Sequence, residues 1–190
     1  MGEVDTAIVQ AARRGDADAW DALFRAHQLP VYVFVIKMVR NETIALDLVQ
    51  ETFIAATKYL GSLKNDERFV SWLFSIARQK CAGHWRKHKE VEPLPDQDLE
   101  ASEDPMPQDW MIAAERESHL HEQIEKLPEP HRGVIVLFFL EEFSIEEIAD
   151  ITGSKTGTVK SRLHYAKKTL RKLLESENEI TERYPADATR

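Results

Sequence analysis

Four prolines crowded into one short stretch constrain this chain more than any other feature. Pro93, Pro95, Pro105 and Pro107 all fall within residues 90–109. Each lacks an amide N–H and clashes with the turn before it, so the stretch cannot form a continuous helix. On either side glycine is sparse, strand signals are few, and apolar residues recur at helical spacing. The expectation is an all-α fold: two small helical domains, residues 1–89 and 111–175, joined by an acidic, proline-containing linker at 90–110 and followed by a polar tail at 176–190.

Charge divides the chain in a related way. The net charge of −8 argues against a uniformly basic surface. Residues 61–89, however, carry seven basic and two acidic groups, and residues 151–174 carry seven basic groups and none acidic. Between them, residues 90–127 carry twelve acidic groups against two basic ones. Phosphates meet local surface rather than net charge, so the two basic islands are the candidate nucleic-acid contacts. Hydrophobic residues, at 43% of the chain, suffice for packed cores.

In the first domain Asp16 or Asp18 is placed to cap a helix carrying Trp20, Leu23, Phe24 and His27 at core spacing. Pro30 is expected to open a new helix over 31–39, apolar all round and therefore central. Asn41 is the candidate cap of the next helix, with Ala45, Leu48, Val49, Thr52, Ala56 and Tyr59 on its buried stripe. Asp47, Gln50, Glu51, Ile54 and Lys58 form its other face. A last helix turns Phe69, Trp72, Leu73 and Ile76 inward and Arg78, Lys80, Arg86, Lys87 and Lys89 outward.

The sharpest motif lies at 144–174. Ser144 and Glu147 have capping-box spacing. Ile145, Ile148 and Ala149 give the first helix an apolar face, and Ala149 is small enough for a second helix to cross closely. Gly153 follows where a tight turn needs positive φ. Val159 and Leu163 pack the second helix back onto the first. Its other face presents Lys155, Thr156, Thr158, Lys160, Arg162, His164 and Lys167. This is a helix-turn-helix, whose second helix enters the major groove; there basic and hydroxyl side chains reach phosphates and base edges.

Taken together, ARRGDADAWDALFRAH (12–27), DLVQETFIAATKYL (47–60), RFVSWLFSIARQKCAGHWRKH (68–88) and the run from LPEPHRG to RKLL (127–174) resemble an extracytoplasmic-function sigma factor, the minimal two-domain type of bacterial RNA polymerase sigma subunit. The resemblance implies that the N-terminal domain binds core RNA polymerase and melts and reads the promoter −10 element, while the C-terminal domain reads the −35 element. It implies core contacts at Asp47, Gln50, Glu51 and Ile54. It places Lys64, Asn65 and Arg68 at a loop for unstacked −10 bases, with Arg78, Lys80, Trp85, Arg86 and Lys87 following the DNA beyond. It sends Lys155, Thr156, Thr158, Lys160, Ser161, Arg162, His164 and Lys167 to the −35 groove. Trp85 is open to two roles, base stacking or packing. The acidic linker is likewise open to two, an RNA mimic in the polymerase exit path or a solvated spacer. An anti-sigma factor is a further implied partner. The chain departs from the family at Thr43, Ile44, Ala45 and Leu46, where acidic residues are common, and Asp66 and Glu67 make the loop's base preference its own.

No glycine-rich phosphate loop or nucleophile–base set is present, so no enzyme activity and no cofactor are expected. Cys81, His84 and His88 share a helix face, but a structural zinc wants four ligands, and no metal is expected. A lone cysteine, no signal peptide and no apolar run near 20 residues point to the cytoplasm without membrane insertion. Two competing readings are a helix-turn-helix regulator acting without core polymerase, its N-terminal half a dimerisation or sensor domain, and a pure protein-interaction module. A dimer interface would expose a larger apolar patch than the mixed face of 47–54; the basic island at 151–174 speaks against an interaction module.

Overall fold

The structure, a computed structural model, describes residues 5–88 and 117–183. The linker at 90–110, Lys89, the side chain of His88 and the chain from 184 onward lie outside the described residues. Every regular element among the described residues is helical.

Short polar side chains set where the N-terminal helices begin. Asp5 accepts from the Ala7 amide at the start of α1 (Thr6–Arg13). Asp16, rather than Asp18, caps α2 (Ala17–Val39), accepting from the amides of Asp18 and Ala19 at 2.9 and 3.1 Å. Asn41 caps α3 (Glu42–Tyr59) through the Ile44 amide at 3.0 Å. Each side-chain oxygen satisfies a first-turn N–H that has no partner inside the helix.

Pro30 does not open a new helix. α2 runs straight through it. An interior proline costs about 3 kcal/mol, because it removes one helical hydrogen bond and crowds the preceding turn. Burial on both sides of it outweighs that cost. Leu23 and His27 are buried before the proline, and Val31, Phe34, Val35 and Met38 after it; each aliphatic or aromatic side chain so removed from water contributes about 1.5–3 kcal/mol. The merged helix is, by length and composition alone, apolar enough to cross a membrane. The central helix of a bundle has the same character, and α2 occupies that position, packed on α1, α3 and α4 (Phe69–His88).

Two expected core residues face outward instead. Phe24 is 40% exposed and Tyr59 is 52% exposed. Tyr59 is the last residue of α3; Phe53 is the buried aromatic of that helix, and Phe24 meets its ring edge-on at 4.8 Å. Trp72 and Ile76 are half-buried, whereas Phe69, Leu73, Phe74, Ala77 and Cys81 of α4 are fully enclosed.

The C-terminal half comprises α5 (Glu117–Lys126), α6 (Glu129–Ile135), a π-helical turn (Val136–Leu140), α7 (Ile145–Thr152) and α8 (Thr156–Arg183). α8 extends into the expected tail. Nothing from 175 to 183 stops it, and only at Pro185 does the sequence disfavour helix for the preceding residue. The two halves are not separated in space: α4 packs along α7, α2 touches α6, and the buried apolar residues of both form one continuous core.

Candidate nucleic-acid and protein interfaces

The helix-turn-helix is built as its local sequence dictates. The Ser144 hydroxyl accepts from the Glu147 amide at 3.2 Å, and the Glu147 carboxylate accepts from the Ser144 amide at 2.9 Å. α7 ends on Gly153 at φ +62°, and the Ser154 amide closes the turn onto the Ala149 carbonyl at 3.0 Å. Val159, Leu163, Ala166 and Leu170 of α8 are buried. Lys155, Thr156 and Lys160 stand exposed at the first turns of α8, where α-helical amides and basic side chains together favour phosphate.

The other expected members of this face are more engaged. Arg162 donates to the Ser154 hydroxyl at 3.0 Å and is half-buried. Lys167 lies over the rings of Phe138 and Phe139, 5.7 Å from each centroid, and burial lowers its pKa. His164 meets Tyr165 edge-on. Ser161 donates back to the Gly157 carbonyl at 3.0 Å, and Thr158 is half-buried. Exposed Lys168 and Arg171 extend the basic side of α8 further than sequence reasoning did.

The second candidate surface starts at the loop between α3 and α4. Lys64, Asn65 and Arg68 are exposed there. Asn65 caps a single 3-10 turn, accepting from the Glu67 amide at 3.0 Å. Arg13 of α1 clamps the loop through the Leu63 carbonyl at 3.0 Å and an ion pair with Asp66. No local signal in the sequence connects Arg13 to a loop fifty residues later. Arg68 pairs with Asp150 of α7, and Lys80 pairs with Glu51 of α3 at 2.9 Å. Arg78 and Arg162 line one small gap between the two halves of the molecule. Trp85 is half-buried against the core, which supports packing over stacking for that ring. Arg86 and Lys87 are exposed.

The third surface is the outer face of α3. Asp47, Gln50, Glu51 and Ile54 are all exposed, while Leu48, Val49, Thr52, Phe53 and Ala56 on the opposite side are buried. Leu46 joins that face at 55% exposure, beside Ile54 at 61%. Its spacing of four from Gln50 and eight from Ile54 was a readable signal that sequence reasoning passed over. Two large apolar side chains in water beside two carboxylates make a face suited to a protein partner.

Comparison with known proteins bears on these three surfaces. Residues 23–91 match sigma-70 region 2, and residues 119–170 match sigma-70 region 4. The RNA polymerase sigma factor SigV of Bacillus subtilis is 32% identical over 157 residues, covering 80% of this chain and 89% of that protein. The ECF RNA polymerase sigma factor SigW of the same organism is 30% identical over 181 residues, covering 87% and 94%. Among solved structures, the sigma factor RpoE from Bartonella quintana, crystallised with the anti-sigma factor NepR, has the same fold, with a TM-score of 0.63 at 22% identity over 82% of this chain and 96% of that one.

Proposed function

Since the chain belongs to the extracytoplasmic-function family of RNA polymerase sigma factors, we propose a division of a sigma factor's work among its three surfaces. The outer face of α3, with Leu46, Asp47, Gln50, Glu51 and Ile54, docks on core RNA polymerase. The loop at 61–68 and the exposed end of α4 meet the −10 element; Lys64 and Asn65 take unpaired bases, and Arg86 and Lys87 take phosphates. Lys155, Thr156 and Lys160 enter the −35 major groove, and Arg162 supports the turn behind them. Melting is driven by capture of unpaired bases, which a loop with side-chain donors can supply without any catalytic group.

The observation that carries this reading is the α3 face. A helix buried on one side exposes two large apolar residues, with two acids between them, on the other, and nothing within the described residues covers them. That feature also weighs against a helix-turn-helix regulator acting alone, which has no use for such a face on the matched region 2. In this reading the protein works in the cytoplasm with polymerase, promoter DNA and an anti-sigma factor, the last because RpoE of the same fold was solved with one. Residues 1–89 and 111–175 then act as separate domains.

Leu46→Asp with Ile54→Asp tests the assignment. Both side chains are exposed, so the melting temperature should hold while capture of core polymerase falls at least tenfold. Unchanged capture would remove α3 from the core interface.

A further inference from the structure

Sigma-70 region 2 is matched from residue 23 onward, so α1 (Thr6–Arg13) stands before it. α1 rests on the bundle through buried Val9 and Ala12, and the Trp20 indole N–H of α2 donates to the Ala12 carbonyl at 3.0 Å. That bond fastens the last turn of α1 one residue before Arg13. From this fixed base the Arg13 side chain reaches the loop between α3 and α4, fifty residues along the chain.

The terminal nitrogen Nη2 of Arg13 grips that loop on both sides of its tip. It donates to the Leu63 carbonyl at 3.0 Å, just before Lys64 and Asn65, and to the Asp66 carboxylate, just after them. Bonds within the loop set the rest of its path. The Leu63 amide donates to the Leu60 carbonyl at 3.1 Å, and the Arg68 amide donates to the Asn65 carbonyl at 3.1 Å. The Asn65 side-chain oxygen accepts from the Glu67 amide at 3.0 Å, which leaves its NH2 to donate elsewhere. Leu63 packs against the core. Lys64 and Asn65 are thus exposed between two anchored ends.

The grip has two physical effects. A short exposed loop released from it would sample more shapes, and a site that is competent only part of the time binds more weakly in proportion. The grip also settles a charge. A carboxylate beside the tip would repel the phosphates of an incoming strand, but that of Asp66 is only 14% exposed and is paired with the guanidinium.

We infer that Arg13 is a positioning residue for the −10 loop: it holds the backbone at Leu63 and takes up the Asp66 carboxylate, so that Lys64 and Asn65 meet unpaired bases in one prepared shape. α1 thereby belongs to the melting site although it lies outside region 2. This role rests on the proposed assignment of the loop at 61–68 to the −10 element. A lysine at position 13 would keep the charge but end one bond short of Nη2, so it would restore the grip only in part.

Holoenzyme reconstituted with the full chain can select a promoter from a randomised duplex library, and two fragments of that promoter then serve as probes. One is a fork with the −10 bases unpaired. The other is a duplex that carries the −35 element and ends before the −10 element. If the released loop holds its prepared shape one time in ten, Arg13→Ala should weaken binding of the holoenzyme to the fork by roughly tenfold. Binding to the −35 duplex should stay within about twofold, because both bonds of Arg13 lie within the N-terminal half. Arg13→Lys should recover part of the loss on the fork. Adding Asp66→Ala to Arg13→Ala should cost nothing further, since the carboxylate has already lost its partner and its removal takes a repelling charge from the DNA. Equal losses on both fragments would reduce Arg13 to a folding residue, and unchanged fork binding would show that the loop needs no clamp; either result overturns the inference. Wild-type holoenzyme that selects no promoter would overturn the sigma role itself, and this role with it, which is a different failure from a wild type that selects one and an Arg13→Ala variant that binds it equally well.

Discussion

The two surfaces proposed to meet DNA are prepared to different degrees. On the helix-turn-helix, Lys155, Thr156 and Lys160 already stand in solvent on a rigid frame of capping box, left-handed glycine and buried Val159 and Leu163. On the proposed −10 side Lys64, Arg86 and Lys87 are exposed, but Arg68 and Lys80 pair with carboxylates and Arg78 lines the gap between the two halves. The contrast suits the two tasks. Duplex DNA offers a fixed groove that a preformed helix can enter. Unpaired bases exist only after melting, and a surface that meets them last can be held in other contacts until then.

The largest effect comes from breaking what the two halves share. Phe74 is fully buried between them, so Phe74→Ala should cost about 3–5 kcal/mol through lost transfer energy and a residual cavity. Denaturant unfolding followed by circular dichroism measures it, and a loss below about 1 kcal/mol would mean that the α4–α7 contact is not part of the core.

The halves should also differ in the sign of their pH response. Burial pushes Glu141, just after the π-helical turn, from the ordinary 4.5 to about 7. Its folded-state pKa lies above its unfolded value, so its contribution is fully present below pH 4.5 and is lost as pH rises through about 7. In the other half, burial lowers the pKa of His27, whose ring lies 5.7 Å from Phe69. There stability is present above pH 6.5 and is lost as pH falls through the depressed value. Glu141→Gln should therefore stabilise the protein near pH 8 by up to about 3 kcal/mol and leave acid unfolding unchanged. His27→Gln should flatten the acid limb only. Thermal melts across pH decide it, and identical pH profiles for wild type and Glu141→Gln would sink the assignment.

Smaller effects sharpen the helix-turn-helix side. Gly153 has open space around it but sits at φ +62°, so Gly153→Ala meets backbone strain alone and should cost about 1 kcal/mol. Lys160→Ala should leave stability within about 0.5 kcal/mol and lower the slope of log affinity against log salt by about one counterion. Arg162→Ala, by contrast, should lose stability as well as affinity, because the guanidinium holds Ser154. Equal behaviour of Lys160 and Arg162 in both assays would contradict the distinction between a reading residue and a supporting one.

What was legible in the sequence was local. Asn41, the Ser144–Glu147 pair and Gly153 act on amides and carbonyls within one turn, and each does in the structure what its residue type and position require. Tertiary burial overrode local chemistry elsewhere. Pro30 should end a helix and does not, because apolar residues on both sides are sealed into one core. Phe24 and Tyr59 have core chemistry and helical phase, but Tyr59 is the last residue of α3 and Phe24, on α2, meets buried Phe53 edge-on while 40% exposed. The exposure of Lys155, Thr156 and Lys160 was legible from charge and helical phase. The partners that hold Arg68 and Arg132 were not, because Asp150 lies 82 residues from Arg68 and Met38 lies 94 from Arg132. No periodicity carries information over that separation.

Run-off transcription with reconstituted holoenzyme tests the central claim most directly. The account predicts that the chain with core polymerase initiates at discrete start sites sharing a −35 and a −10 element. It also predicts that Lys160→Glu abolishes those starts while core capture persists. Failure to capture core polymerase, or start sites no different from those of core alone, would contradict it.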